Sequence, residues 1–170
     1  MSAGKVLFVT ALDSVKKAGD PQPSKDVLGD VRMEGNNVYK YVQYDGGAAP
    51  IDGQAGDCVA YLLNVSTSTT EYDTHTVTAD FTNGQVAAGV LQADMADQTD
   101  ATKVQWGWIK IKGLQVLRQT PEDSPADGDG ASLGSASGDG KMKKMDAATD
   151  VKCGVFVDAS TKEVLLDCPF

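Results

Sequence analysis

One histidine, three cysteines and no long apolar run leave this chain of 170 residues little from which to build catalytic or metal chemistry. His75 has no second histidine beside it, and no two cysteines sit at two-residue spacing, so metal ligation is poorly supported. Cys58, Cys153 and Cys168 are odd in number and sparse, which excludes a disulfide-built secreted scaffold and predicts buried thiols in a protein made in a reducing cytosol. Short apolar runs exclude a membrane-spanning helix and predict a soluble protein. Residues 4–12 open like an export signal, but Thr10 interrupts them and Asp13 follows where a small-residue cleavage site belongs; a first strand or an arm fits better. Basic residues are also few: 15 Lys and Arg against 24 Asp and Glu give a net charge of −9, which repels phosphate backbones and argues against nucleic acid. The basic cluster of Lys141, Lys143 and Lys144 reads as a solvated strand or turn.

What is present is β structure. Runs rich in Val, Thr, Tyr, Ile and Trp lie between Gly, Asp, Asn and Pro clusters near residues 37–44, 57–65, 74–82, 85–91, 103–118, 151–158 and 163–168, and predict an all-β antiparallel protein. Asn83-Gly84 suits a type I′ turn, and a hairpin closed there sets Phe81 opposite Val86, Ala79 opposite Ala88 and Val77 opposite Val90. Thr76, Thr78, Asp80 and Thr82 would line its polar face. Residues 93–101 have too few apolar anchors for a helix and read as a loop or a single turn.

The chain divides into an arm or first strand (1–30), a main β module (31–118), a Pro-, Asp-, Gly- and Ser-rich connection (119–140) and C-terminal strands (141–170) that pack on the main module or duplicate it. Short strands around 131–135 and 141–145 interrupt the connection. An internal echo supports duplication: Gly56-Asp57, Gly89-Val90 and the run 108–111 correspond in order to Gly128-Asp129, Gly154-Val155 and the run 163–166. The length suits one compact domain or two fused β modules.

No constellation identifies a catalytic residue, a metal or a cofactor. His75 falls in line with Val77, Ala79 and Phe81 and carries no nucleophile signature. Asp127-Gly128-Asp129-Gly130 begins like a calcium loop, yet Gly138 stands where the closing Glu belongs. Carboxylate pairs such as Asp52 with Asp57, or Asp94 with Asp97, arise by chance among 24 acids. In 106–112, alternation places Gly107, Ile109 and Ile111 on one face and Trp106, Trp108, Lys110 and Lys112 on the other. Trp108 then completes a core or stacks on a sugar; Trp106 is equally open to core packing, a sugar or a protein partner. If residues 151–158 and 163–168 form a hairpin with Asp158 opposite Glu163, Cys153 faces Cys168, a proximity and not a bond.

In their order, the phrases at 38–44, 55–59, 76–80, 88–90, 106–113 and 163–170 resemble the small β-rich capsid decoration, or head cement, proteins of tailed bacteriophages. The resemblance runs from about residue 30 to the end and rests on no catalytic motif. It implies a β-sandwich or β-tulip-like module without enzymatic activity, made in the host cytoplasm and carried on the exterior of the virion. It also implies the major capsid protein as partner, with self-association as a dimer or trimer at capsid symmetry axes. Val6, Leu7, Phe8 and Val9 are the preferred contact, as an extended arm that adds a strand to a capsid edge or else as the first strand of the protein's own sheet, and Trp106 is a further candidate. A carbohydrate-binding β module using a surface tryptophan is the alternative.

Overall fold

A computed structural model describes residues 11–18, 26–46, 51–64, 71–81, 86–96, 104–147 and 150–169. Among them there is no helix, and the all-β, mostly antiparallel class holds. The strands are β1 (Lys16–Lys17), β2 (Val31–Glu34), β3 (Asn37–Tyr44), β4 (Cys58–Asn64), β5 (Glu71–Thr78), β6 (Ala87–Leu91), β7 (Gln105–Val116), β8 (Gly130–Leu133), β9 (Met142–Lys144), β10 (Gly154–Asp158) and β11 (Glu163–Asp167). Residues 93–96 are non-helical; the remainder of the 93–101 segment lies outside the described residues.

Strands β3 to β7 close into a barrel. β3 runs parallel to β5, with Gln43 opposite Thr76, and antiparallel pairings then lead from β5 to β4, β6 and β7 and back to β3. The hairpin expected between 74–82 and 85–91 is therefore not formed. β4 lies between its two arms, with Tyr61 opposite Val77 and Cys58 opposite Val90. Cys58-Val59-Ala60-Tyr61 is a continuous apolar run, the pattern of a strand covered on both faces, and it takes the central place. Val77, Ala79, Phe81, Ala88 and Val90 are buried, but so are Thr76, Thr78 and Asp80 from the side expected to be polar. Asn83-Gly84 lies outside the described residues.

β7 does not stop at the barrel. Its second half pairs with β11, and β10, β8 and β9 follow. A parallel bridge between Glu122, just beyond β7, and Lys143 of β9 links the two ends of this series. The second ring thus repeats the first, strand for strand, with β7 serving as the last strand of one and the first of the other. Its registers repeat as well. Tyr61 opposite Val77 and Val90 opposite Lys110 recur as Leu133 opposite Met142 and Val155 opposite Leu165. Gly56 (φ 91°) donates to the Leu91 carbonyl at 2.9 Å, and Gly128 (φ 88°) to that of Phe156 at 2.7 Å. The Asp57 carboxylate accepts the Gln54 N–H at 3.0 Å, and that of Asp129 the Ala126 N–H at 2.8 Å. The parallel contact recurs too: Asp45 N–H donates to the Val77 carbonyl and Glu122 N–H to that of Met142, both at 2.9 Å.

Each echoing phrase in the sequence occupies the same station in its own ring. The two short strands expected to interrupt the connection are β8 and β9, within a few residues of expectation, and the second ring that they complete begins inside β7. One apolar cluster spans both rings, from Val42, Tyr44, Val59 and Ile109 to Met142, Phe156, Val164 and Leu166. Each large side chain sealed there contributes about 1.5–3 kcal/mol.

Candidate interaction surface

The side chains with chemical potential are mostly committed to structure. Asp57 is buried and accepts from Arg118 Nε (2.7 Å) and Nη2 (3.0 Å) and from Gln119 (3.1 Å), while Asp52 is exposed. Their environments do not form an acid and base pair. The same contact holds Arg118 above its ordinary value. Asp94 accepts the Ala55 N–H at 2.8 Å, and Asp97 lies outside the described residues. Asp127 and Asp129 cap turns at Ala159 and Ala126 in place of a calcium loop. Lys143 pairs with Asp146 and Asp150, and Lys144 with Asp129, so neither is a free anion site. His75 is exposed beside Gly29. Among the described residues no three His, Cys, Asp or Glu side chains are placed to hold a metal ion.

Asp158 lies opposite Glu163 as expected, but a bulge at Val157 shifts the ladder, so Cys153 comes opposite Asp167 and Cys168 lies diagonal to it. Cys168 Sγ is 3.6 Å from the Cys153 carbonyl oxygen, and Cys58 joins them inside the apolar cluster. The hydrogen bond to Cys153 and burial hold the Cys168 thiol well up; burial does the same for Cys58. Held protonated and sealed in the core, Cys58 and Cys168 are inert.

Alternation along β7 is as read from the sequence, with both faces put to use. Ile109 and Ile111 enter the common core, and Trp108 joins Tyr39 and Tyr41 in a second cluster. Trp108 is fully buried, its ring 5.1 Å from that of Tyr41, so any stacking on a sugar would fall to Trp106 alone. Trp106 is half-buried, packs on this cluster with Leu12, and lies opposite Lys16 of β1. Lys110 is buried here: its Nζ donates to the Leu114 carbonyl at 2.9 Å and lies 5.5 Å from the Tyr39 ring, and burial lowers its pKa. Val6, Leu7, Phe8 and Val9 lie outside the described residues.

The second ring has an equivalent outer face, with Glu163 at the station of Trp108 and no such cover among the described residues. Leu114 and Val116 hold the stations of Tyr39 and Tyr41, and Leu165 that of Lys110. They are 48%, 51% and 49% exposed. An apolar row crosses the strands here: Leu114 opposite Leu165, Leu165 opposite Val155, Val155 opposite Gly130, and Met145 packed over Gly130. Val116 and Val157 flank it. At its β7 end the row borders a groove of about 880 Å³ whose lining includes Met33, Asn37, Val38, Leu114, Val155 and Leu165. Val27, Leu28, Val31 and Met33 expose further apolar surface along one stretch of chain.

Comparison with known protein families, curated proteins and solved structures finds no match to this chain. What the molecule can do therefore has to be argued from its own surface. Sequence reasoning missed the bare row because Leu165, between Val164 and Leu166, looks like part of a wholly buried run. The available signal was parity, since Leu114 and Val116 continue the Lys110 and Lys112 face of β7.

Proposed function

We propose that this chain is a non-enzymatic structural protein of a tailed-phage virion, bound to the outside of the capsid and stabilising it. The observation that carries this reading is apolar surface left in solvent on an acidic, filled, two-ring body: the row on the second ring and the stretch from Val27 to Met33. Large exposed apolar patches mark surfaces that meet other macromolecules. The order of the phrases resembling decoration proteins points to the shell as that assembly, and the major capsid protein is then the partner. A protein that binds only the assembled shell stabilises it by mass action, copy by copy. The net charge of −9 would keep such a protein off the packaged nucleic acid.

Purified protein mixed with undecorated shells should sediment with them and raise their melting temperature. Failure to sediment, together with glycan binding abolished by Trp106→Ala, would replace this reading with the carbohydrate-binding one.

A further inference from the structure

We infer that the groove between the β2–β3 hairpin and the second ring binds an extended peptide segment of the partner protein, apolar at alternate positions and carrying an Asp or Glu beside them. This deepens the capsid reading by giving the chemistry of the segment, and it rests on that reading only for the segment's source. Shape supplies the first argument. The groove, at about 880 Å³, falls within the ~300–1,000 Å³ in which bound molecules are usually held. Met33 and Val38 line it from the hairpin, and Leu114, Val155 and Leu165 from the second ring. Gly113 and Gly154 also line it and put no side chain into it. Met33 is 75% exposed, so the apolar wall on the hairpin side is open to a molecule from outside.

Hydrogen-bonding groups supply the second. Asn36 and Asn37 line the groove at the hairpin turn, with the Asn37 side chain against Gly113. Neither carboxamide has a hydrogen-bond partner among the described residues. A carboxamide sets an acceptor oxygen beside N–H donors, the complement of a peptide C=O and N–H, and an acyl chain has neither to return. Charge supplies the third. Lys112 is paired with Asp167 (3.1 Å), whereas Lys152 is exposed and has no ion-pair partner among the described residues. All three line the groove, which leaves one positive charge in excess there on a chain whose net charge is −9. A carboxylate is therefore drawn to this groove and repelled by the molecule as a whole, which fixes where an acidic segment can settle.

A random heptapeptide array probed with the labelled full chain tests this. Bound peptides should share apolar residues at alternate positions with an Asp or Glu beside them. In fluorescence polarisation, Leu165→Gln should weaken the tightest of these peptides about 10-fold. Lys152→Glu should weaken it about 3- to 10-fold and shift the array's preference from acidic to basic peptides. Both side chains are exposed, so far-UV circular dichroism of either variant should match the parent. Should one not fold, Val155→Thr and Lys152→Ala read the same two contacts more gently. An array without binders, binders that lack this pattern, or affinities indifferent to the substitutions that fold overturn the inference. A blank array from a chain that still coats phage shells would remove the groove and leave the capsid reading; groove-dependent peptides from a chain that ignores shells would do the reverse.

Discussion

Gly89 and Gly154 hold the same station in the two rings, and replacing each with alanine measures how far the repetition extends into energetics. A Cβ on Gly89 would sit 2.4 Å from the Lys110 carbonyl oxygen; one on Gly154 would sit 2.6 Å from that of Leu165. Both obstacles are backbone atoms of the neighbouring strand, so no rotamer change relieves them. The strands must part by several tenths of an ångström where Lys110 lies opposite Val90 and Leu165 opposite Val155. Overpacking of this kind costs about 1–3 kcal/mol, against which the stiffer unfolded chain returns about 0.4–1 kcal/mol. Gly89→Ala, with the closer backbone contact and a φ of 155° that alanine rarely adopts, falls at the upper end, near 2 kcal/mol net, and Gly154→Ala about 1–1.5 kcal/mol. Urea titration followed by tryptophan fluorescence should show both midpoints lowered, with an unchanged slope. If either variant lies within about 0.5 kcal/mol of the parent, the close approach does not constrain the fold and the reasoning fails.

Trp108→Ala should cost about 3–5 kcal/mol and Trp106→Ala no more than about 1–2 kcal/mol, because only the first is sealed. Equal shifts in melting temperature would contradict that assignment. Alkaline pH should destabilise the protein. Burial pushes Tyr61 up to about 12, and Cys58 and Cys168 are held well up, so the folded chain keeps protons that the unfolded chain has lost. Their stabilisation is complete below the unfolded values and disappears as pH rises, starting near pH ~8.5 for the thiols and ~10 for the phenol. Lys110, lowered by burial, acts in the opposite sense as pH rises toward its unfolded value of ~10.4, but it is one group against these three and Tyr39, which burial also raises. A urea midpoint that stays level between about pH 8 and pH 10.5 would refute this.

Strand positions were legible in the sequence because two-residue alternation and turn residues are local signals. Asn37–Tyr44 is found where it was expected, and β4, β7 and β11 fall within a few residues of expectation. Pairing partners were less legible. Asn83-Gly84 argues for a hairpin on local grounds, yet the insertion of β4 is decided by which strand most needs cover on both faces, a comparison across the whole chain. β2 escaped notice because Val31-Arg32-Met33-Glu34 is short and half charged; its signal was the Gly35-Asn36 loop, with Gly35 at φ 58° as glycine-first hairpin turns require. The duplication was visible only as Gly-Asp and Gly-Val pairs and the runs 108–111 and 163–166, since the two halves share backbone geometry and little else. At the cysteines the turn was read correctly, and a single bulged residue, Val157, displaced the pairing beyond it.

Because β7 is a wall of both rings, neither half owns a complete set of strands. Cutting the chain after residue 118 would strip the second ring of its first strand, and cutting before 105 would open the first, so the halves cannot be parted and kept whole. Melting should proceed as a single event, and a load applied to one half would pass directly into the other through an unbroken ribbon.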